Sequence, residues 1–64
     1  MKYENIKIGD IADAYLEGEP TQRVVIVNKD EHMGWVHGIN SEGRLVAIYP
    51  EFEIEKIITN IKSL

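Results

Sequence analysis

The strongest pattern along the chain is the run Arg23-Val24-Val25-Ile26-Val27, four β-branched apolar residues bounded by polar ones. Such a run predicts a strand, Gln22–Asn28, buried on both faces at the centre of a small β core. Lys29-Asp30-Glu31-His32 reads as a polar turn after it. Met33–Ile39 reads as the next strand, with Met33, Trp35, His37 and Ile39 on one face and Gly34, Val36 and Gly38 on the other. Glycines inside a strand mark bulges, curvature or close backbone approach, so this strand is expected to bend hard. Asn40-Ser41-Glu42-Gly43 predicts a tight reversal with Gly43 in the left-handed region. Arg44–Tyr49 follows as a third meander strand, with Leu45, Ala47 and Tyr49 on one face and Val46 and Ile48 on the other.

The two ends of the chain carry mixed signals. Ile6 and Ile8 are spaced to line one side of a short extended segment, and Gly9-Asp10 marks a turn. Ile11–Leu16 fits a short helix capped by Asp10 and stopped at Gly18, or a strand. The strand is preferred, because one or two isolated helical turns are unstable and the central run needs a neighbour. Glu17–Thr21 is a loop. After Pro50, Ile54, Ile57, Ile58 and Ile61 share a helical stripe, yet isoleucine is β-branched. The preferred reading is one 3₁₀ turn at 50–53, a closing strand Ile54–Ile58, and residues 59–64 trailing along the N-terminal segment. The alternative is an α+β fold with 51–62 helical.

Sixty-four residues form one domain, 1–64, with a small core, since at this size only about 60% of the unfolded chain's surface is buried. The chain has no cysteine, which excludes disulfides and thiolate metal sites and favours a reducing, cytoplasmic setting. No apolar stretch is long enough to span a membrane, and no secretory leader is seen. The formal net charge is −4, with seven scattered basic residues, which argues against nucleic acid as a ligand.

Read in order, Gly9-Asp10-Ile11, a loop, Arg23–Val27, Gly34–Ile39, Gly43–Tyr49 and Pro50-Glu51-Phe52-Glu53-Ile54-Glu55-Lys56-Ile57 resemble an SH3-like small barrel over roughly residues 8–58. The resemblance is one of layout. It implies an all-β fold of about five short antiparallel strands, with a proline-led 3₁₀ turn before the last. Among such barrels the chain looks most like compact stand-alone proteins of bacteria and their phages. It departs from the peptide-binding signalling members, whose paired tyrosines and acidic loop are not matched in any run. It also lacks the Lys/Arg-rich loop of ribosomal barrels. The resemblance therefore implies neither polyproline nor RNA as the ligand.

Candidate chemistry is sparse. His32 and His37 lie five residues apart beside Asp30 and Glu31, without the spacing of a metal-binding motif. Carboxylate pairs such as Asp10/Asp13 and Asp30/Glu31 read as solvated surface charge. Ser41 and Ser63 have no His–acid relay. An enzyme is not expected, nor is a cofactor or a metal. The better candidates are aromatic: Trp35 with Tyr15, Tyr49 and Phe52, with Arg44 or Arg23 nearby and His37 on the face of Trp35. Trp35 fits equally well as the largest plug of the core.

Three functions follow. The first is a protein-interaction module docking a partner through Trp35, His37, Tyr49, Tyr15 and Arg44, with an acidic rim. The alternative is an acidic, phage-type inhibitor of a nucleic-acid enzyme, or a weak nucleic-acid binder through aromatic stacking. The third is a homo-oligomeric subunit pairing at an open edge, Leu45–Tyr49.

Overall fold

The computed structural model describes residues 1–64. Five antiparallel strands follow one another: β1 (Asp10–Ala14), β2 (Gln22–Asp30), β3 (Trp35–Asn40), β4 (Leu45–Ile48) and β5 (Ile54–Asn60). One helical turn, α1 (Pro50–Glu53), joins β4 to β5, and short 3₁₀ turns occupy Tyr3–Asn5 and Ile61–Ser63. The fold is all-β, as expected. The strand order is β4-β3-β2-β1-β5. β4 and β5 are the two edges and do not pair, so the expected closed barrel is an open, curled sheet.

The two ambiguous segments resolve as extended chain. Residues Asp10–Ala14 pair with both β2 and β5. The helical alternative for 51–62 is overturned: Ile54–Asn60 is strand, and the turn at Pro50–Glu53 is α rather than 3₁₀. Beyond it the isoleucines are worth more as strand, where Ile54 buries against the core and pairs with Ala14. β5 runs two residues further than expected. Ile61 N–H then donates to Gly9 O at 2.9 Å, and Asn60 Nδ2 to Ile8 O at 3.1 Å. The tail thus lies along the N-terminal segment.

Only one face of the sheet is core. Ten aliphatic residues fill it, among them Ile6, Val24, Ile26, Val36 and Ile48. The expectation that β2 is buried on both faces is therefore corrected. Val24 and Ile26 point inward, Val25 is half-buried, and Val27 is 41% exposed. The outer face of the sheet is only partly covered, and its β-branched residues pack there against cross-strand neighbours, as Val25 does between Ile11 and Ile39. β2 also continues to Asp30, with a bulge between Ile26 and Asn28. The reversal is consequently Glu31–Gly34, and Met33 lies in it rather than in β3.

The faces of β3 are the reverse of what side-chain size suggests. Val36 and Gly38 point into the core; Trp35, His37 and Ile39 point out. A Cβ on Gly38 would sit 2.9 Å from Val24 Cβ, so the glycine is what lets β3 cross so close to β2. Gly43 takes the left-handed conformation expected of it, φ 79°. Asn40 organises that turn, its Oδ1 accepting from the N–H of Glu42 and of Arg44 at 3.0 Å each.

The N-terminal segment is clamped by Lys29. Its ammonium lies 4.2 Å from the centroid of the Tyr3 ring and donates to the carbonyls of Tyr3 and Ile6. Ile6 is thereby seated in the core. Ile8 does not share its side as expected and is 47% exposed, because the turn at 7–10 intervenes.

Candidate functional site

Pro50 fixes the start of α1, where its missing N–H has no partner to lose. The turn is then closed by Glu53. Its carboxylate accepts the N–H of Tyr49 at 2.7 Å, and its carbonyl accepts the N–H of Tyr15 at 2.7 Å. One residue therefore ties the end of β1 to the end of β4. Between them α1 lifts Phe52 into solvent, 82% exposed.

Three open hollows flank the Phe52 ring. The first, about 330 Å³, is lined by Tyr15, Glu17, Tyr49, Phe52 and Glu53. The second, about 240 Å³, is lined by Tyr3, Met33, Gly34, Tyr49, Glu51 and Phe52. The third, about 440 Å³, continues past Tyr15 to Thr21, Ile54 and Glu55. Shared walls make them one groove with Phe52 as its ridge. Trp35 stands behind Tyr49, ring centroids 5.4 Å apart and tilted 54°, and meets the edge of His37 at 6.1 Å.

All five aromatic residues of the chain thus gather at or behind this groove, and the ten-residue buried core contains none. Rings are the largest apolar side chains and ordinarily dominate a core. Here ten aliphatics close the core, Tyr3 packs half-buried against it and Trp35 is half-buried, and Tyr15, Tyr49 and Phe52 stay exposed beside them. The charge is equally one-sided. Glu17, Glu51, Glu53 and Glu55 line the hollows, and no Lys or Arg does.

Of the sequence-predicted site residues, Tyr15 and Tyr49 line the groove, and Trp35 and His37 support it from the outer sheet face. Trp35 is not the core plug. Its indole N–H is covered by neighbours yet donates to nothing. His37 Nδ1 is 3.1 Å from Asn28 Nδ2. Arg44 is not brought to the groove. It lies at the far end of β4, five residues and roughly 16 Å of extended chain from Tyr49, and pairs loosely with Glu19 at 3.7 Å. Arg23 is likewise elsewhere, held by Asp13 at 2.9 Å. Tyr3, Met33 and Glu17 join the groove without a signal in their own neighbourhoods. The Tyr3 hydroxyl is pushed above its ordinary range by desolvation and by the Glu31 and Asp30 carboxylates.

No three His, Asp or Glu side chains converge as a metal site would require, and no helix is long and apolar enough to cross a membrane. No family model, curated protein or solved structure matches the chain.

Proposed function

We propose that this protein is an interaction module that holds an extended segment of a partner protein in the Phe52 groove, by apolar contact with the rings and by attraction of Lys or Arg side chains to the glutamate rim. The supporting observation is the exclusion of every aromatic residue from the buried core and their collection along one acid-lined groove. Rings flanking a groove offer large contact area with little side-chain entropy to lose, and an acidic rim steers and orients a basic segment. The strand order, with one proline-led turn between the last two strands, also suits the SH3-like layout. The absence of cysteine fits a cytoplasmic setting. The reading involves no catalysis, no cofactor and no nucleic acid.

The test is an amide chemical-shift titration of the labelled protein with extended decapeptides. One set alternates apolar residues with Lys or Arg, the other apolar residues with Asp or Glu. The proposal expects shifts at Tyr15, Tyr49 and Phe52 with the basic set alone. Equal response to both sets, or shifts confined to other residues, would refute it.

The four glutamates also favour a second reading, an acidic inhibitor seated in the basic groove of a nucleic-acid enzyme. Binding lost with added salt and in Glu51→Gln or Glu55→Gln, but retained in Phe52→Ala, would select it.

A further inference from the structure

We infer that the β4 edge is a self-association site, at which two copies of this chain pair antiparallel through Leu45 and Ala47. The argument begins with hydrogen-bond alternation. Asn40 N–H donates to Arg44 O at 3.0 Å, so the backbone of Arg44 faces β3. Antiparallel ladders alternate with period two, so Val46 and Ile48, opposite Gly38 and Val36, face β3 as well. The N–H and C=O of Leu45 and Ala47 therefore point out of the sheet edge, and no turn or loop bond takes them up. The free window is closed at both ends. Tyr49 N–H is held by the Glu53 carboxylate, and Gly43 N–H by the carbonyl of Asn40.

Two donors and two acceptors, two residues apart, are self-complementary in one register. With a two-fold axis at Val46, Leu45 of each copy lies opposite Ala47 of the other, and four hydrogen bonds form. A shift of two residues would set a free donor–acceptor pair against the blocked N–H of Tyr49 in one direction and that of Gly43 in the other. In the matched register Gly43 of one copy lies opposite Tyr49 of the other. It has no side chain, so the aromatic groove stays open.

The side chains favour the same pairing. Leu45 is 59% exposed and ends an outward apolar row, Ile11–Val25–Ile39–Leu45, whose members are register neighbours on four strands. A second copy would extend that row and cover Leu45. Arg44, its side chain 64% exposed and only loosely paired with Glu19, would lie opposite Ile48 of the second copy, where the chain runs on into α1 and its Glu51, a complementary charge. Natural edges are guarded by charge, proline or bulges. The β5 edge has these, with Glu55 and Lys56 exposed and two register shifts against β1. β4, Leu-Val-Ala-Ile, has none.

Sedimentation equilibrium of the full chain over a concentration series up to about 1 mM, the range of weak contacts, tests the inference. Hydrogen exchange of the Leu45 and Ala47 amides is followed in parallel. The expected result is a mass rising from 7.3 kDa toward twice that, with these two amides gaining protection as concentration rises. Ala47→Pro removes an edge-facing N–H that the monomer does not use, and Leu45→Lys adds an edge charge. Both should stay folded and lose the association at least tenfold. A constant monomer mass with both amides unprotected throughout overturns the inference and leaves the edge to a strand from another protein. A dimer that survives both substitutions overturns it too.

Discussion

Glu53 accepts the N–H of Tyr49 in its side-chain carboxylate at 2.7 Å, while its own carbonyl takes the N–H of Tyr15. The two tyrosines that wall the groove are thus referred to one residue, and their spacing depends on it. Glu53→Gln retains an acceptor and should change little. Glu53→Ala removes it and should cost about 1 kcal/mol, the worth of a helix-start hydrogen bond. In a domain this small that is a fall in Tm of roughly 4–8 °C. Thermal melts of the two variants side by side check the difference, and equal melts would exclude the carboxylate as the cause.

Gly38→Ala places a methyl 2.9 Å from Val24 Cβ and 3.0 Å from Val24 Cγ2. Neither strand can yield without opening the β2–β3 ladder. The expected cost is about 1–3 kcal/mol, as for other overpacked cores, read as a lower urea midpoint. An unchanged midpoint would mean that the strands are not held this close.

Ile48 is fully buried in the aliphatic core. Ile48→Ala should cost about 2–5 kcal/mol, a large part of the about 5–15 kcal/mol that holds a typical domain together. Denaturant unfolding gives the value directly.

Trp35→Phe removes an indole N–H that is covered and unpaired while keeping a ring against Tyr49. The penalty of a stranded donor, about 1–3 kcal/mol, offsets the lost ring area. Stability should hold or rise slightly. Trp35→Ala, which leaves Tyr49 unsupported, should destabilise, and a melt of each variant separates the two effects.

The hydrogen bond from Arg23 holds the Asp13 carboxyl below its ordinary value of 3.8, aided by the charges of Arg23 and Lys56. A folded pKa below the unfolded one gives a contribution that is complete above the ordinary carboxylate range. It fades as pH falls through that range toward the lower, folded value. Because the Arg23 side chain is 59% exposed to screening solvent, the effect is small. The stability difference between the protein and Asp13→Asn should therefore be constant near neutrality and shrink on acidification below 3.8. A difference that grew on acidification would reverse the assignment. Tyr3 acts at the other end of the scale. Its raised hydroxyl pKa favours the protonated form in the folded state, so stability should decline as pH rises past 10.0.

The strands themselves are legible in the sequence. Apolar alternation, the reversal at Asn40–Gly43 and the proline at 50 locate four of them, and the need for a partner to the central run favours the fifth. Which face is core is not legible. β-branched residues stock both faces of β2, so Val25 and Val27 look as buried as Val24 and Ile26. On β3, size points to the Trp35 face, whereas the close crossing at Val24 makes the glycine face the core. The site is half legible. Tyr15, Tyr49 and Phe52 stand out as candidate rings, but Arg44 is near Tyr49 only along the chain, and an extended strand carries it away to Glu19. Tyr3, Met33 and Glu17 reach the groove only through the Lys29 clamp and the loops after β1 and β2. These are long-range contacts without local signature.

The central claim is that the aromatic ridge serves a partner and not the core. Phe52→Ala tests it most directly, with urea unfolding and capture of a cross-linked partner measured on the same preparation. The account predicts a stability change within about 0.5 kcal/mol, as for an exposed side chain, together with at least a tenfold loss of capture. A loss of about 3–5 kcal/mol, the cost of removing a buried phenylalanine, or capture that does not change, would contradict it.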